Sequence, residues 1–149
     1  MTVDQLPGAG RPPSTDAREL PLWRLNAMRV GYALMGIGLA VVKWPLVIGY
    51  DSSTPLFEGV VHILLTAMGL LALLGLRYPV RLIPILLFEC LWKLLWLGIV
   101  ALPAVLAGDV DRPLREVLFS CSLVVVILAV TPWGYVWRHY VTAMGDRWR

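Results

Sequence analysis

Residues 80–102 read VRLIPILLFECLWKLLWLGIVAL, and this run is the main indication of how the chain folds. A helix that spans a bilayer needs about 20 apolar residues at roughly 1.5 Å of rise each, and this stretch is long enough. It also carries Glu89 and Lys93 near its middle. Ionised side chains at that depth are costly unless they are paired and face the interior of a helical assembly. Because Glu89 precedes Lys93 by four residues, both lie on one helical face in the favourable order for an ion pair.

The rest of the chain has the composition of an integral membrane protein. Of its 149 residues, 58% are hydrophobic and only 15% are charged, and the mean hydropathy is +0.73. Apolar residues make up only about half of a soluble domain even when glycine is counted. The net charge of +3 comes from arginines beside the apolar runs, so it does not indicate nucleic-acid binding. The length leaves room for one domain of four spans and for no separate soluble catalytic domain.

Four apolar runs alternate with short polar connections rich in turn residues. The predicted spans are about 27–48, 56–76, 80–102 and 114–131, within a membrane domain at 23–132. Residues 1–22 are polar and rich in Pro and Gly, which predicts a disordered cytoplasmic tail without a cleavable signal. Residues 133–149 are rich in Trp, Tyr and Arg, which predicts a cytoplasmic segment in the membrane interface.

The arginines are unequally divided between the two ends of the predicted spans. One end has Arg11, Arg18, Arg24, Arg29, Arg77, Arg81, Arg138, Arg147 and Arg149, whereas the other has only Arg112 and Arg115. Positively charged residues remain preferentially on the cytoplasmic side of a membrane. We therefore predict an all-α, up-down four-helix bundle with both termini in the cytoplasm and two short acidic loops outside.

Polar residues within the spans are concentrated toward the outer half. Glu58 and His62 are four residues apart near the start of the second span, and Lys43 lies near the end of the first. Such faces must turn toward one another in lipid, which predicts an outward-opening polar pocket. On the fourth span, Glu116 and Ser120 are expected to complete it. The candidate ligand-binding or ion-pair residues are Lys43, Glu58, His62, Glu89, Trp92, Lys93 and Trp96.

Three interpretations of these residues are open. The pairs Glu89–Lys93 and Glu58–His62 could be structural, fixing the register of the helices. They could instead bind an anionic or quinone-like head group beside the tryptophans, with its tail in the bundle or the lipid. A third interpretation is proton or ion movement along the same side chains, which in so small a protein requires oligomerisation.

The sequence assigns no catalytic residue and no metal ligand. Glu58 and His62 supply only two ligands, whereas zinc sites take three or four from the protein. No hydrolase, phosphate-loop or dinucleotide motif is present. Cys90 and Cys121 are predicted to be free, buried thiols, because they lie at different depths of their spans.

The layout resembles the DoxX-like family of small bacterial membrane proteins from about Trp23 to Trp133. The likeness rests on the first span, MRVGYALMGIGLAVVKWP, on a second span closing with LLALLGLRYPVR, and on polar residues in the third. The resemblance implies a four-helix bundle in the bacterial cytoplasmic (inner) membrane and a loose association with quinone-linked redox systems.

We therefore expect a non-catalytic, accessory membrane protein whose pocket binds a small lipophilic or anionic ligand, with a quinone as the candidate cofactor. The alternatives are a subunit of a membrane redox complex and a small oligomeric proton-coupled transporter or channel. The expected partners are the lipid bilayer and either another membrane protein or a second copy of the chain, and not nucleic acid.

Overall fold

The computed structural model describes residues 20–51 and 53–143. Within these residues all regular structure is helical, and four helices are long and apolar enough to cross a membrane. They are α1 (Leu22–Ile48), α2 (Leu56–Gly75), α3 (Ile83–Ala107) and α4 (Arg112–Val130). A short helix, α5 (Trp133–Val136), continues into a π-helical turn, Trp137–Val141. The prediction of a helical protein with four helices able to cross a membrane is confirmed for the described residues, while most of the predicted N-terminal tail and residues 144–149 lie outside them.

Local sequence explains where the helices begin and end. Pro21 has an extended backbone (ψ 150°) and precedes the first turn of α1, which therefore starts before the predicted span at 27. Gly108 ends α3 in the left-handed conformation (φ +73°), which glycine adopts without steric cost. Asp111 then caps α4, because its Oδ1 accepts the amide hydrogen of Leu114 at 2.9 Å.

The third helix extends past the predicted end of its span. The predicted span ends at residue 102, directly before Pro103, yet α3 continues to Ala107. The segment Leu97–Ala101 is π-helical, and the amide of Leu102 donates to the carbonyl of Leu97 five residues earlier. This wider turn lies directly before Pro103, where proline lacks an amide hydrogen, so the helix accommodates the proline without ending.

The first two helices pack as an antiparallel pair through small residues. A methyl group built on Gly36 would lie 2.7 Å from Leu73 Cδ2, and one built on Gly69 would lie 3.1 Å from Leu39 Cβ. A methyl group at Gly36 would therefore require Leu73 to shift, and one at Gly69 would press closely on Leu39. Helices in lipid commonly associate through such small residues, because close approach maximises packing.

Burial is confined almost entirely to one half of the molecule. We call the half that contains residues 22, 75, 83 and 130 the terminal half, and the half that contains residues 48, 56, 107 and 112 the loop half. Apart from Gly59 and Ala101, every buried residue of α1–α4 belongs to the terminal half or its border with the loop half. The buried set includes Met28, Tyr32, Met35, Met68, Ala72, Ile83, Leu86, Glu89, Cys90, Lys93, Cys121, Val124 and Ile127.

Candidate functional site

Glu89 and Lys93 form a buried ion pair on the inward face of α3. Lys93 Nζ lies 2.8 Å from Glu89 Oε1. Only 1% of Glu89 and 8% of Lys93 is exposed. The same face carries Ile83, Leu86 and Cys90, so the pair continues a stripe of otherwise apolar core residues. The structure therefore has the pair that the four-residue spacing predicts, and it is inside the protein.

Two further groups complete the surroundings of the pair. Trp92 Nε1 donates to Glu89 Oε2 at 2.7 Å, so each carboxylate oxygen has a partner. Lys93 Nζ donates to the backbone carbonyl of Ser120 at 3.2 Å and lies 5.6 Å from the centroid of the Trp92 ring. We call these four groups the Glu89 network. Hydrogen bonds to charged groups are shorter and stronger than neutral ones, which offsets part of the cost of burying both charges.

The Ser120 carbonyl lies three residues before an interruption of α4. The helix divides at Leu123 (ψ −10°) into Arg112–Ser122 and Val124–Val130. In an unbroken helix the carbonyl of residue 120 would accept the amide hydrogen of residue 124. Lys93 Nζ donates a hydrogen bond to it. Nothing at Leu123 signals a break in the sequence, since neither glycine nor proline is present, so this acceptor was not predicted.

Glu58 and His62 form a second, weaker pair in the loop half. His62 Nε2 lies 4.0 Å from Glu58 Oε1, and their side chains are 12% and 58% exposed. A pair this exposed at this separation contributes little to stability. Within residues 20–51 and 53–143, no hydrogen bond or ion pair joins Glu58 or His62 to the Glu89 network.

On α1 and α3, three polar or aromatic side chains of the loop half are partly buried. They are Lys43 and Trp96, which the sequence proposed for the site, and Trp44, which it did not. Trp44 Nε1 is a buried donor without a hydrogen-bond partner in the described part of the chain. Neither Lys43 nor Trp96 makes a hydrogen bond or ion pair with another described residue. Of the seven predicted residues, the structure connects Glu89, Trp92 and Lys93 in the Glu89 network. Glu58 and His62 form a separate pair.

The helix register nevertheless brings these groups to a similar depth. Leu39 packs beside Gly69 and Tyr50 beside Gly59, so residues 43 and 44 of α1 are level with about residues 64–66 of α2, within one turn of His62. Val130 of α4 packs against Gly31. Ten residues of helix rise about 15 Å, so Ser120 is level with about residue 41. The ammonium group of Lys93, which contacts Ser120, is therefore near the depth of Lys43 and His62.

The fourth helix turns a different face inward from the expected one. Glu116 is exposed and pairs with Arg112 across 3.4 Å, and the side chain of Ser120 is exposed as well. Cys121, Val124 and Ile127 are the buried residues. The side chains of Glu116 and Ser120 therefore lie off the buried face of α4, and whether they line a pocket stays a prediction. Glu116 lies in the first turns of α4, near the helix end, where it can remain hydrated and need not turn inward.

The described residues contain no group of three or more His, Cys, Asp or Glu side chains that could hold a metal ion. Cys90 and Cys121 are both buried and free. The chain matches no protein-family model, no curated protein and no solved structure. The resemblance to DoxX-like proteins accordingly stays a prediction from the sequence.

Proposed function

We propose that the protein binds a small lipophilic ligand with an anionic or quinone-like head group, in a cleft between its two helix pairs that opens at the loop half. The observation that carries the proposal is the one-sided burial of α1–α4. The terminal half forms a packed core, whereas the loop half leaves its inward-facing polar and aromatic residues only partly covered.

The contacts between helices support a cleft of this kind. Pairing of α1 with α2 extends to Tyr50 and Gly59 in the loop half, and α4 remains beside the π-helical segment of α3. The α1/α2 and α3/α4 pairs contact each other mainly in the terminal half, where the second segment of α4 packs on α1 and α3. A space between the pairs would therefore have the Glu89 network at its inner end.

The groups at this depth fit the proposed head group. The ammonium of Lys93 has three N–H donors, of which Glu89 and the Ser120 carbonyl take two, so one is available to a ligand oxygen. Trp44 adds a buried, unpaired N–H donor near the same depth. Hydrogen-bond donors in an apolar environment suit a ligand whose head group has carbonyl or carboxylate oxygens and whose tail is hydrophobic.

The binding test uses tryptophan fluorescence, since Trp92 and Trp96 belong to the proposed site. Purified protein in mild detergent is titrated with a short-chain ubiquinone analogue, and separately with oleate as an anionic probe. We expect saturable binding of at least one probe. The double change Glu89→Leu with Lys93→Leu removes the charged donor, and we expect it to weaken binding by about 10–100-fold, the value of a charge-assisted hydrogen bond.

The matched control is Arg112→Gln with Glu116→Gln, which removes an exposed pair of the same spacing on α4. We expect it to leave binding unchanged. Non-saturable quenching by both probes in the natural protein would mean that they only partition into the detergent. That result, or equal affinities in the natural protein and the double leucine variant, would overturn the proposal.

We further propose that both termini face the cytoplasm of a bacterial cell and that the loop half faces outward. Five arginines of the described residues lie at the terminal end, against Arg112 and Arg115 at the other. A membrane-impermeant maleimide applied to intact cells should label Ser53→Cys and Asp109→Cys but leave Thr142→Cys unlabelled until the membrane is permeabilised. The native cysteines are buried and give the background. If only Thr142→Cys were labelled in intact cells, the orientation would be opposite to the proposed one.

A further inference from the structure

The terminal end of the molecule is an arginine-rich surface. Its described basic residues are Arg24, Arg29, Arg77, Arg81 and Arg138, all of which are outside the buried core. The described carboxylates lie elsewhere. Asp51, Glu58, Asp109, Asp111 and Glu116 belong to the loop half, and Glu89 is paired inside the protein. None of the five arginines forms an ion pair with a described residue.

Three of these arginines converge on the turn between α2 and α3. Arg29 Nε donates to the carbonyl of Leu76 at 3.2 Å, which holds its guanidinium beside the turn. The guanidinium carbons of Arg77 and Arg81 lie 5.7 and 5.8 Å from the centroid of the Tyr78 ring. Arg77 Nε also donates to the Tyr78 hydroxyl at 3.1 Å. Both guanidinium groups therefore border one exposed aromatic ring.

The turn that carries these arginines is fixed by the protein core. The hydroxyl of Tyr32, which is fully buried on α1, donates to the carbonyl of Pro79 at 2.9 Å. A second contact from α1 orients Arg29, whose Nη1 donates to Asn26 Oδ1 at 2.8 Å. Because these contacts already order the turn, less conformational entropy is lost when a ligand binds to it.

We propose that Arg29, Arg77 and Arg81 form a binding site for the phosphate of an anionic phospholipid. Guanidinium groups bind phosphate oxygens in a bidentate manner, and among the described residues no carboxylate at this end neutralises them. The turn follows the end of a membrane-spanning helix, so the site is at the level of the lipid head groups. The exposed ring of Tyr78 belongs to the aromatic residues that prefer this interface. This site is at the opposite end of the molecule from the proposed cleft and does not depend on it.

The test measures the preference of the protein for anionic lipid in reconstituted bilayers. Full-length protein is placed in phosphatidylcholine membranes that contain a trace of spin-labelled phosphatidylglycerol or spin-labelled phosphatidylcholine. We expect the natural protein to select phosphatidylglycerol. Each basic residue near the membrane contributes about fivefold in affinity. The double change Arg77→Gln with Arg81→Gln should therefore remove most of the preference.

Two further variants separate a site from a general effect of charge. Arg112→Gln with Arg115→Gln removes the same charge at the loop end, and we expect it to retain the preference. Arg77→Lys with Arg81→Lys keeps the charge but loses the planar guanidinium group, and we expect a partial loss of the preference for phosphatidylglycerol. This variant tests the site if the glutamine variant fails to fold. Equal losses from the 77/81 and 112/115 glutamine pairs, or no loss in either 77/81 variant, would overturn the proposal. Displacement of the labelled lipid by millimolar glycerol phosphate would assign the site to a soluble phosphate instead.

Discussion

Replacing Glu89 with leucine is expected to lower the free energy of unfolding by about 3–5 kcal/mol, because it leaves the Lys93 ammonium buried without its counter-ion. The ammonium would keep only the Ser120 carbonyl and the Trp92 ring. The indole N–H of Trp92 would also lose its acceptor, since Glu89 Oε2 is its partner at 2.7 Å. An SDS titration in mixed micelles measures the change, with helicity as the readout.

The double change Glu89→Leu with Lys93→Leu should behave differently from the single change. Removing both charges together removes the cost of burying them, and well-packed apolar residues often replace a buried pair without loss of stability. We expect the double variant to recover most of the lost stability, and the cost that remains is about 1 kcal/mol for the Trp92 indole N–H, which has no Glu89 acceptor in either variant. A double variant as unstable as Glu89→Leu would contradict this account and would mean that the pair is essential for folding.

Stability and binding together distinguish the interpretations of the pair. If the double variant is stable and also binds both probes normally, Glu89 and Lys93 only fix the register of α3 against α4. If the variant is stable but has lost the probe, the charges are retained for the ligand. The structure offers a reason to expect the second outcome, since one N–H of Lys93 has no acceptor among the hydrogen bonds of the described residues.

The sequence predicts the helices and the pair because both depend on local spacing. An apolar run long enough to span a bilayer is recognisable without tertiary information. Two charges four residues apart on such a run share a face, so Glu89 and Lys93 were expected to meet. Their closest additional partner, Trp92, is three residues from Glu89 on the same helix, which is also a local relation.

The remaining contacts depend on features that the sequence does not mark. The Ser120 carbonyl that accepts from Lys93 lies just before the break of α4 at Leu123, in a run of residues without glycine or proline. The face of α4 that points inward depends on the rotation of the helix, which its neighbours determine. Polarity alone suggested that Glu116 lies on this face, whereas Cys121 and Val124 are the residues buried there. The extension of α3 past Pro103 similarly depends on the π-helical turn before it.

Replacing Tyr32 with alanine is expected to cost about 3–5 kcal/mol of unfolding free energy, as for other large-to-small changes of a buried aromatic residue. Tyr32 is the largest fully buried side chain of the described residues, and its ring fills the space beside the Cα of Gly75. Tyr32→Phe keeps the ring and removes only the hydrogen bond to the Pro79 carbonyl. That variant should lose about 1 kcal/mol, the net value of an ordinary hydrogen bond.

The two variants also test whether the core orders the turn that bears the arginines. Tyr32→Phe leaves α1 packed against α2 but releases the carbonyl of Pro79, so the turn at residues 77–81 should gain mobility while the helices remain intact. We therefore expect faster amide hydrogen exchange at the turn and a reduced preference for phosphatidylglycerol, with little change in overall stability. A phenylalanine variant with unchanged exchange at the turn would show that Arg29, through its bond to Leu76, suffices to hold it.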